Sequence, residues 1–527
     1  MRKGYLCIIL HAHLPYVRHT EEKKYMEERW FFEAMTETYA PILSTLHKLH
    51  EDEVRVRLTV SLSPTLLSMM NDTLLQQRYK AHLGGLIELG EKEVSRTSQD
   101  GVMNYTARCY LRRFMAIHDL IFGRYKGNIV RGYCELADAG LVELATSCAT
   151  HGYLPLLSVV PSSVEAQVHV GIDTFRHITG REPAGLWLPE CGYFRGLEDV
   201  LARNGIKYVV LETHGILDAE PSPSCEVFAP VECAGNVAAF GRDAESAKQV
   251  WSSQEGYPGD PDYREFYRDI GHELSLDYIG QYVHDDSVRV DTGFKYYRIT
   301  GRTEHKQPYQ PEWAREKAAI HAGNFVFNRQ KQVEHCLSVM QHPPVVVAPY
   351  DAELIGHWWY EGPEWLDYLA RKICFDQHTI EMITPLEYLS RFGTAQQVQP
   401  ATSSWGYGGY HEVWLNGKND WMLPYVHWAG KKMRRLAERH AGRGGAMEEA
   451  LNQAARELLL LESSDWPFIL NAGTAVQYAT RRFEAHYNRF ELLSSQIERG
   501  SPDTAQVRAL FAQDNIFPEI TSEVYAR

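Results

Sequence analysis

"GLEDVLARNGIKYVVLE" (196–212) reads as a short helix, a glycine and a strand. Leu197, Val200 and Leu201 share one helical face, and Gly205 supplies the left-handed residue that ends a helix. "KYVVLE" then runs apolar without alternation, the pattern of a strand covered on both faces, as in a parallel sheet. Similar runs lie on either side: "YLCIIL" (5–10), "RVRLTV" (55–60), "LVELAT" (141–146), "GLWLP" (185–189) and "PVVVAPY" (344–350). Helical stretches separate several of them, among them "SSVEAQVHVGIDTFRHITG" after the third. Strand–helix repetition over about 390 residues points to an α/β barrel or an open sheet. The barrel is favoured, because chemistry-bearing residues follow several different strands.

Two stretches interrupt the repeat. Residues 61–135 are helical in pattern and read as an insertion. Residues 228–310, rich in Gly, Asp, Tyr and Arg, read as long loops over a site. Residues 1–395 are therefore expected to form the catalytic barrel. A polar, Gly-rich linker follows, "GTAQQVQPATSSWGYGG" (393–409). Beyond it, 400–527 reads as a C-terminal helical domain; in "AMEEALNQAARELLLLESS" (446–464), Leu451, Ala454, Leu458 and Leu461 share one face. No repeat of 20–50 residues and no low-complexity tract is present.

Composition narrows the function. The 527 residues carry a net charge of −14, which argues against a nucleic-acid binder and fits a neutral substrate. The aromatic share of 12%, with 12 Trp and 30 Tyr, suits either a large core or platforms for flat ligands such as sugars. Nine scattered cysteines with no C-x-x-C pair predict free thiols in a reducing compartment, hence a cytoplasmic protein. "GYLCIIL" ends after seven residues at His11 with no small-residue cleavage site, so it reads as a first buried strand rather than a leader. No run approaches the length of a membrane span.

Several strand ends carry candidate site residues. "LWLPECGYFRG" (186–196) places Glu190 just past an apolar run, between Pro and Gly. "VVVAPYDAELIGHWWYEG" (345–362) ends a strand on Asp351, with Glu353, His357, Trp358 and Trp359 close behind. Either acid alone reads as a helix cap or a salt-bridge partner. The pair, set among aromatics, reads as the machinery of glycoside cleavage, in which one carboxylate is ionised and the other protonated. "HAHLPYV" (11–17) puts His11 and His13 two apart at a strand end, on the same side. They suit a metal, a substrate hydroxyl or a structural pair, and His151 in "ATHGYLPL" is a third candidate without diagnostic spacing. "SSWGYGGYHEVWLNGKNDW" (403–421) sets Trp405, Tyr407, Tyr410, Trp414 and Trp421 among glycines, poor core material and good sugar platforms.

Together these stretches resemble glycoside hydrolase family 57, specifically its 1,4-α-glucan branching branch, over essentially the full chain. "HAHLPY", "GLVELATSCATHGYLPL", "WLPECGY", "PYDAELIGHWWYEG" and "SSWGYGGYHEVWLN" match its five motif regions in order. The resemblance implies an incomplete (β/α)7 barrel and a retaining mechanism on an α-glucan, with Glu190 as nucleophile and Asp351 as general acid/base. It implies a donor subsite lined by His11, His13 and His151, contacts from Trp405, Trp414 and Trp30 ("EERWFFEA"), and no metal or other cofactor. Trp359, beside Asp351, joins the expected substrate contacts. The expected partner is an α-glucan, with neither nucleic acid nor membrane. One departure stands out: the stretch matching the family's mobile, Tyr-bearing active-site loop is "APVECAGNVAAFGRD" (229–243), and no Tyr lies between Tyr208 and Tyr257. By that resemblance, the acceptor should be held less well and water admitted, giving branching with a hydrolytic side activity. The rivals are an α-amylase or 4-α-glucanotransferase with the same catalytic pair, a metal-dependent deacetylase built on the histidines, and a non-catalytic glucan-binding protein.

Overall fold

The computed structural model describes residues 4–21, 25–252, 255–284 and 288–526. Seven parallel strands form the barrel wall: β1 (Gly4–Ala12), β2 (Leu58–Leu62), β3 (Val142–Ser147), β4 (Leu186–Trp187), β5 (Tyr208–Leu211), β6 (Ala238–Gly241) and β7 (Val345–Asp351), and a further short strand, Ile380–Met382, pairs in parallel with the start of β1. β1 is buried along its whole length, as the unbroken apolar run requires of a strand covered on both faces. β4, β3, β2, β1 and β7 are hydrogen-bonded neighbours in that order, all parallel. β5 and β6 form a second parallel pair. One bridge, Gly185 to Tyr208, joins that pair to β4. One backbone bond, from Asp243 N to Val347 O at 2.9 Å, joins it to β7. The ring is closed by these two slender contacts, and the molecule is an incomplete (β/α)7 barrel.

Register decides what meets at the mouth. His11 lies opposite Asp351 on one side and Ser61 on the other. Strand ends distant in sequence therefore deliver their side chains to one face, the C-terminal face of the sheet.

Between β2 and β3 the chain forms helices Pro64–Asn71, Thr73–Arg96, Gly101–His118 and Val130–Asp138. Three begin on side-chain caps: Ser63 accepts from Leu66 N, Asp72 from Leu75 N, and Asp100 from Met103 N. Each cap satisfies an amide that the first helical turn leaves unpaired. Beyond residue 423 the long helices are Leu423–His440, Ala446–Leu461 and Val476–Glu498. They are pinned to the barrel by the Thr150 hydroxyl, which donates to Leu459 O, and by Gln167 Nε2, which donates to Glu462 Oε2 at 3.0 Å. No helix among the described residues is long and apolar enough to cross a membrane.

The 229–243 stretch departs from expectation. Val231–Glu232 pairs antiparallel with β6, making a hairpin whose turn is Ala234–Asn236. A side chain at Gly235 would press on Ala202 at the end of helix Leu197–Arg203, just before β5 begins. The turn thus sits at the N-terminal edge of the sheet, away from the strand ends that carry the acids. Only the far end of the stretch reaches the mouth, through Arg242.

Candidate active site

A cavity of about 910 Å3 opens over the C-terminal strand ends. Glu190, Asp351, His11, His13, His151, Trp359 and Trp405 all line it. Trp30 and Trp414 do not. Trp30 packs edge-on against Tyr478, with centroids 5.6 Å apart. Trp414 is 3% exposed and stacked on Tyr153 at 4.3 Å, so its face is spent on packing. Glycine spacing alone did not separate a platform from a wedge.

Glu190 follows β4 in a tight turn over Pro189–Cys191 and adopts a left-handed conformation, φ 61°, ψ 24°. Such a φ is uncommon for a residue with a Cβ, and at a functional site it marks a side chain aimed by its surroundings. Gly192 completes the turn because a Cβ there would fall 2.6 Å from Tyr153 and 2.9 Å from Pro189 O. The carboxylate is held at both ends: Trp405 Nε1 donates to Oε2 at 2.8 Å, and the Ser464 hydroxyl lies 3.0 Å from Oε1. The peptide of Trp405 also donates to Glu190 O at 3.0 Å. Burial raises the Glu190 carboxyl above the usual carboxylate range, and the two side-chain bonds partly offset that rise.

Asp351 is the last residue of β7. Burial pushes its carboxyl well above the ordinary value, and the charges of Glu353 and Glu190 push further, with Arg242 and His13 opposing. Arg242 is itself tied to Glu212 at 2.8 Å. Glu190 thus carries hydrogen bonds that favour its charged form, while Asp351 is driven toward the protonated form. Two nearby acids with unlike environments divide into a base and an acid.

The histidines form a compact stack. The rings of His13 and His151 lie 3.9 Å apart and those of His11 and His151 5.1 Å apart, while His11 stacks on Trp187 at 4.9 Å. Their nitrogens are engaged with Ser61, Ser63, Ser464, Asp465 and one another. Asp465 raises the His13 pKa against the effect of burial. Among the described residues the one set of three ligand-type side chains close enough for a cation is Glu457, His486 and Asp514, within the C-terminal helices.

The sequence reading missed residues from two regions. Asp465 and Phe468 enter the cavity from the short helix Asp465–Ala472. Trp251 enters from the end of the helix Ala244–Trp251, and Tyr263, Phe266 and Tyr267 from the loop region over the barrel. A polar "SSD" directly after the apolar helix 446–461 was the available signal for the first group. Tyr267, 80% exposed, and Trp358, 55% exposed, stand at the rim. Phe266 stacks on Trp358 at 4.6 Å, so the loop and the turn after β7 build one aromatic wall.

A parallel barrel with two half-buried strand-end acids facing an aromatic cleft is the framework of a glycoside-cleaving enzyme. The chain belongs to glycosyl hydrolase family 57, whose description matches residues 7–399. Residues 425–525 match a second one, "1,4-alpha-glucan branching enzyme, C-terminal". A 1,4-alpha-glucan branching enzyme of Thermococcus kodakarensis is 31% identical, over 99% of this chain and 78% of its own length. The crystal structure of the alpha-amylase AmyC from Thermotoga maritima superposes with a TM-score of 0.93 at 39% identity, covering 100% of this chain and 99% of its own. That of a GH57-type branching enzyme from Pyrococcus horikoshii gives 0.89 at 34%, covering 100% and 97%.

Proposed function

We propose that the protein cleaves α-1,4-glucans with retention and passes the freed segment to a 6-hydroxyl, building a branched glucan of the glycogen type. The observation that carries this is Glu190, hydrogen-bonded at both oxygens, facing the same cavity as a protonation-prone Asp351. Glu190 attacks the anomeric carbon and Asp351 protonates the departing oxygen. Asp351 then takes the proton of the incoming hydroxyl as the glycosyl ester is displaced, and two inversions give retention. No metal or cofactor enters these steps. The branching reading is supported by the C-terminal match and by the branching enzymes among the relatives. Nine free cysteines fit a reducing, cytoplasmic setting.

A second reading, with water as acceptor, is favoured by the likeness to the Thermotoga maritima alpha-amylase. Incubation with amylose separates the two. New 1,6 linkages and new reducing ends are counted in one sample, and the anomeric form of the first product is followed by NMR. New branches accompanied by some new reducing ends, with α products, are expected. Reducing ends without branches move the protein to the amylase reading, and a β product removes the retaining mechanism.

A further inference from the structure

Ser464 stands between a carboxylate oxygen and an imidazole nitrogen, with one proton to give. Its Oγ lies 3.0 Å from Glu190 Oε1 and 3.0 Å from His151 Nδ1. Beyond it, His151 Nε2 meets His11 Nε2 at 3.0 Å. His11, His151 and Ser464 are 2%, 3% and 1% exposed, so the contacts are shielded from competing water. An ionised carboxylate only accepts. The contact with Glu190 therefore takes the Ser464 proton whenever Glu190 is charged. His151 Nδ1 then faces an oxygen that has already donated, so it must carry a proton. A neutral imidazole has one, which leaves His151 Nε2 bare and makes His11 Nε2 the donor. Each choice forces the next.

We infer that His11, His151 and Ser464 form a one-way hydrogen-bond chain ending on the nucleophile, with Ser464 as a positioning residue supplied by the C-terminal region. The opposite arrangement, Ser464 donating to His151, leaves Oε1 of Glu190 with no hydroxyl donor. Charge-assisted bonds are the stronger ones, so the first arrangement prevails. Backbone contacts set the chain's end in place: Ser464 N donates to His151 O at 3.1 Å, and Gly152 bridges Ser463. His151 itself is held left-handed, φ 57°. Burial and the neighbouring imidazoles keep both His11 and His151 well below the usual imidazole range, in the neutral state the chain needs. The helices beyond the barrel thus complete the nucleophile's setting. The catalytic consequence rests on Glu190 being that nucleophile; the proton order does not.

Two measurements on the full chain test it. In protein labelled with 15N histidine, long-range proton–nitrogen NMR at neutral pH reads the tautomers, with signals assigned by the loss of one in His151→Asn and in His11→Asn. His151 protonated at Nδ1 and His11 at Nε2 are expected; His151 protonated at Nε2 overturns the chain. In the kinetic arm, Ser464→Ala should lower kcat about ten- to a hundredfold with little change in KM. It should also move the acid limb of the pH profile upward, because ionised Glu190 loses a donor. The charged and titratable groups facing Glu190 are His13, His151, Tyr153, Asp465, Asp351 and Cys191, and all remain in the variant. Ser464→Thr keeps the hydroxyl and should restore both readings. An Ala variant with wild-type kcat and an unmoved limb overturns the positioning role. Should Ser464→Ala fail to fold, the tautomers of the wild-type protein decide. A wild type that turns over no glucan sinks the proposed function and leaves the tautomer test intact.

Discussion

Trp405 holds Glu190 twice, through its indole Nε1–H to Oε2 at 2.8 Å and through its peptide N–H to the Glu190 carbonyl at 3.0 Å. The two residues are 215 positions apart, and the contact joins the Gly-rich stretch after the barrel to the turn after β4. Trp405→Phe keeps most of the ring and removes the side-chain donor. We expect kcat to fall about tenfold or more, the scale of a lost hydrogen bond to a charged group. Trp414→Phe should leave kcat and KM near wild type and lower the melting temperature, because Trp414 packs on Tyr153 outside the cleft. Steady-state kinetics and a thermal melt of both variants check this.

Removing the proposed nucleophile should be the severest change. Glu190→Gln keeps the shape of the side chain and cannot form the glycosyl ester. Loss of several orders of magnitude in rate is expected, about 7 kcal/mol or more of barrier. A variant keeping a tenth of the wild-type rate takes Glu190 out of this role. Asp351→Ala should be disabled on glucan and much less so on substrates with good leaving groups, which depart without a proton. Equal loss on both contradicts the acid role.

The raised pKa of Asp351 has a sign in stability as well. Its folded value lies above the unfolded one, near 3.8. The stability it contributes is therefore full below that unfolded value and is lost as pH rises through the folded one. Asp351→Asn removes this dependence. Melts from pH 4 to pH 8 should show the variant gaining on wild type as pH rises, by several degrees at the upper end. A gap that stays constant with pH removes Asp351 as the source.

Water exclusion should follow the aromatic wall and be independent of the 229–243 hairpin. Tyr267→Ala opens the rim and should lower the ratio of new branches to new reducing ends severalfold, since transfer competes with solvent for one intermediate. Ala234→Tyr adds a tyrosine to the exposed turn at the far edge of the sheet and should leave the ratio unchanged. A rise in the ratio with Ala234→Tyr returns that hairpin to the acceptor side.

Chelation checks the proposal that catalysis needs no metal. Activity on amylose should be the same within error before and after prolonged dialysis against EDTA. Loss on dialysis with recovery on adding zinc brings back the deacetylase-like use of the histidines.

The strands and the two acids at their ends were legible in the chain because their signals are local. Two-sided burial demands unbroken apolar runs, and an acid between Pro and Gly at a strand's end is visible in eleven residues. That His11 lies opposite Asp351 is set by the strand register, which only the folded sheet shows. The aromatics show where such reading stops. Trp405 and Trp414 sit in the same Gly-rich stretch with the same chemistry, yet one bonds Glu190 and the other is buried on Tyr153. That difference depends on which face of a loop meets the barrel, and local composition carries no record of it. The 229–243 hairpin is the same case, since a polar turn looks alike at either end of a sheet. Ser464 and Asp465 reach Glu190 and His13 from more than 270 positions away. Contacts at that separation exist only once the helices have docked on the loop 150–152, and the docked arrangement is a property of the packed whole.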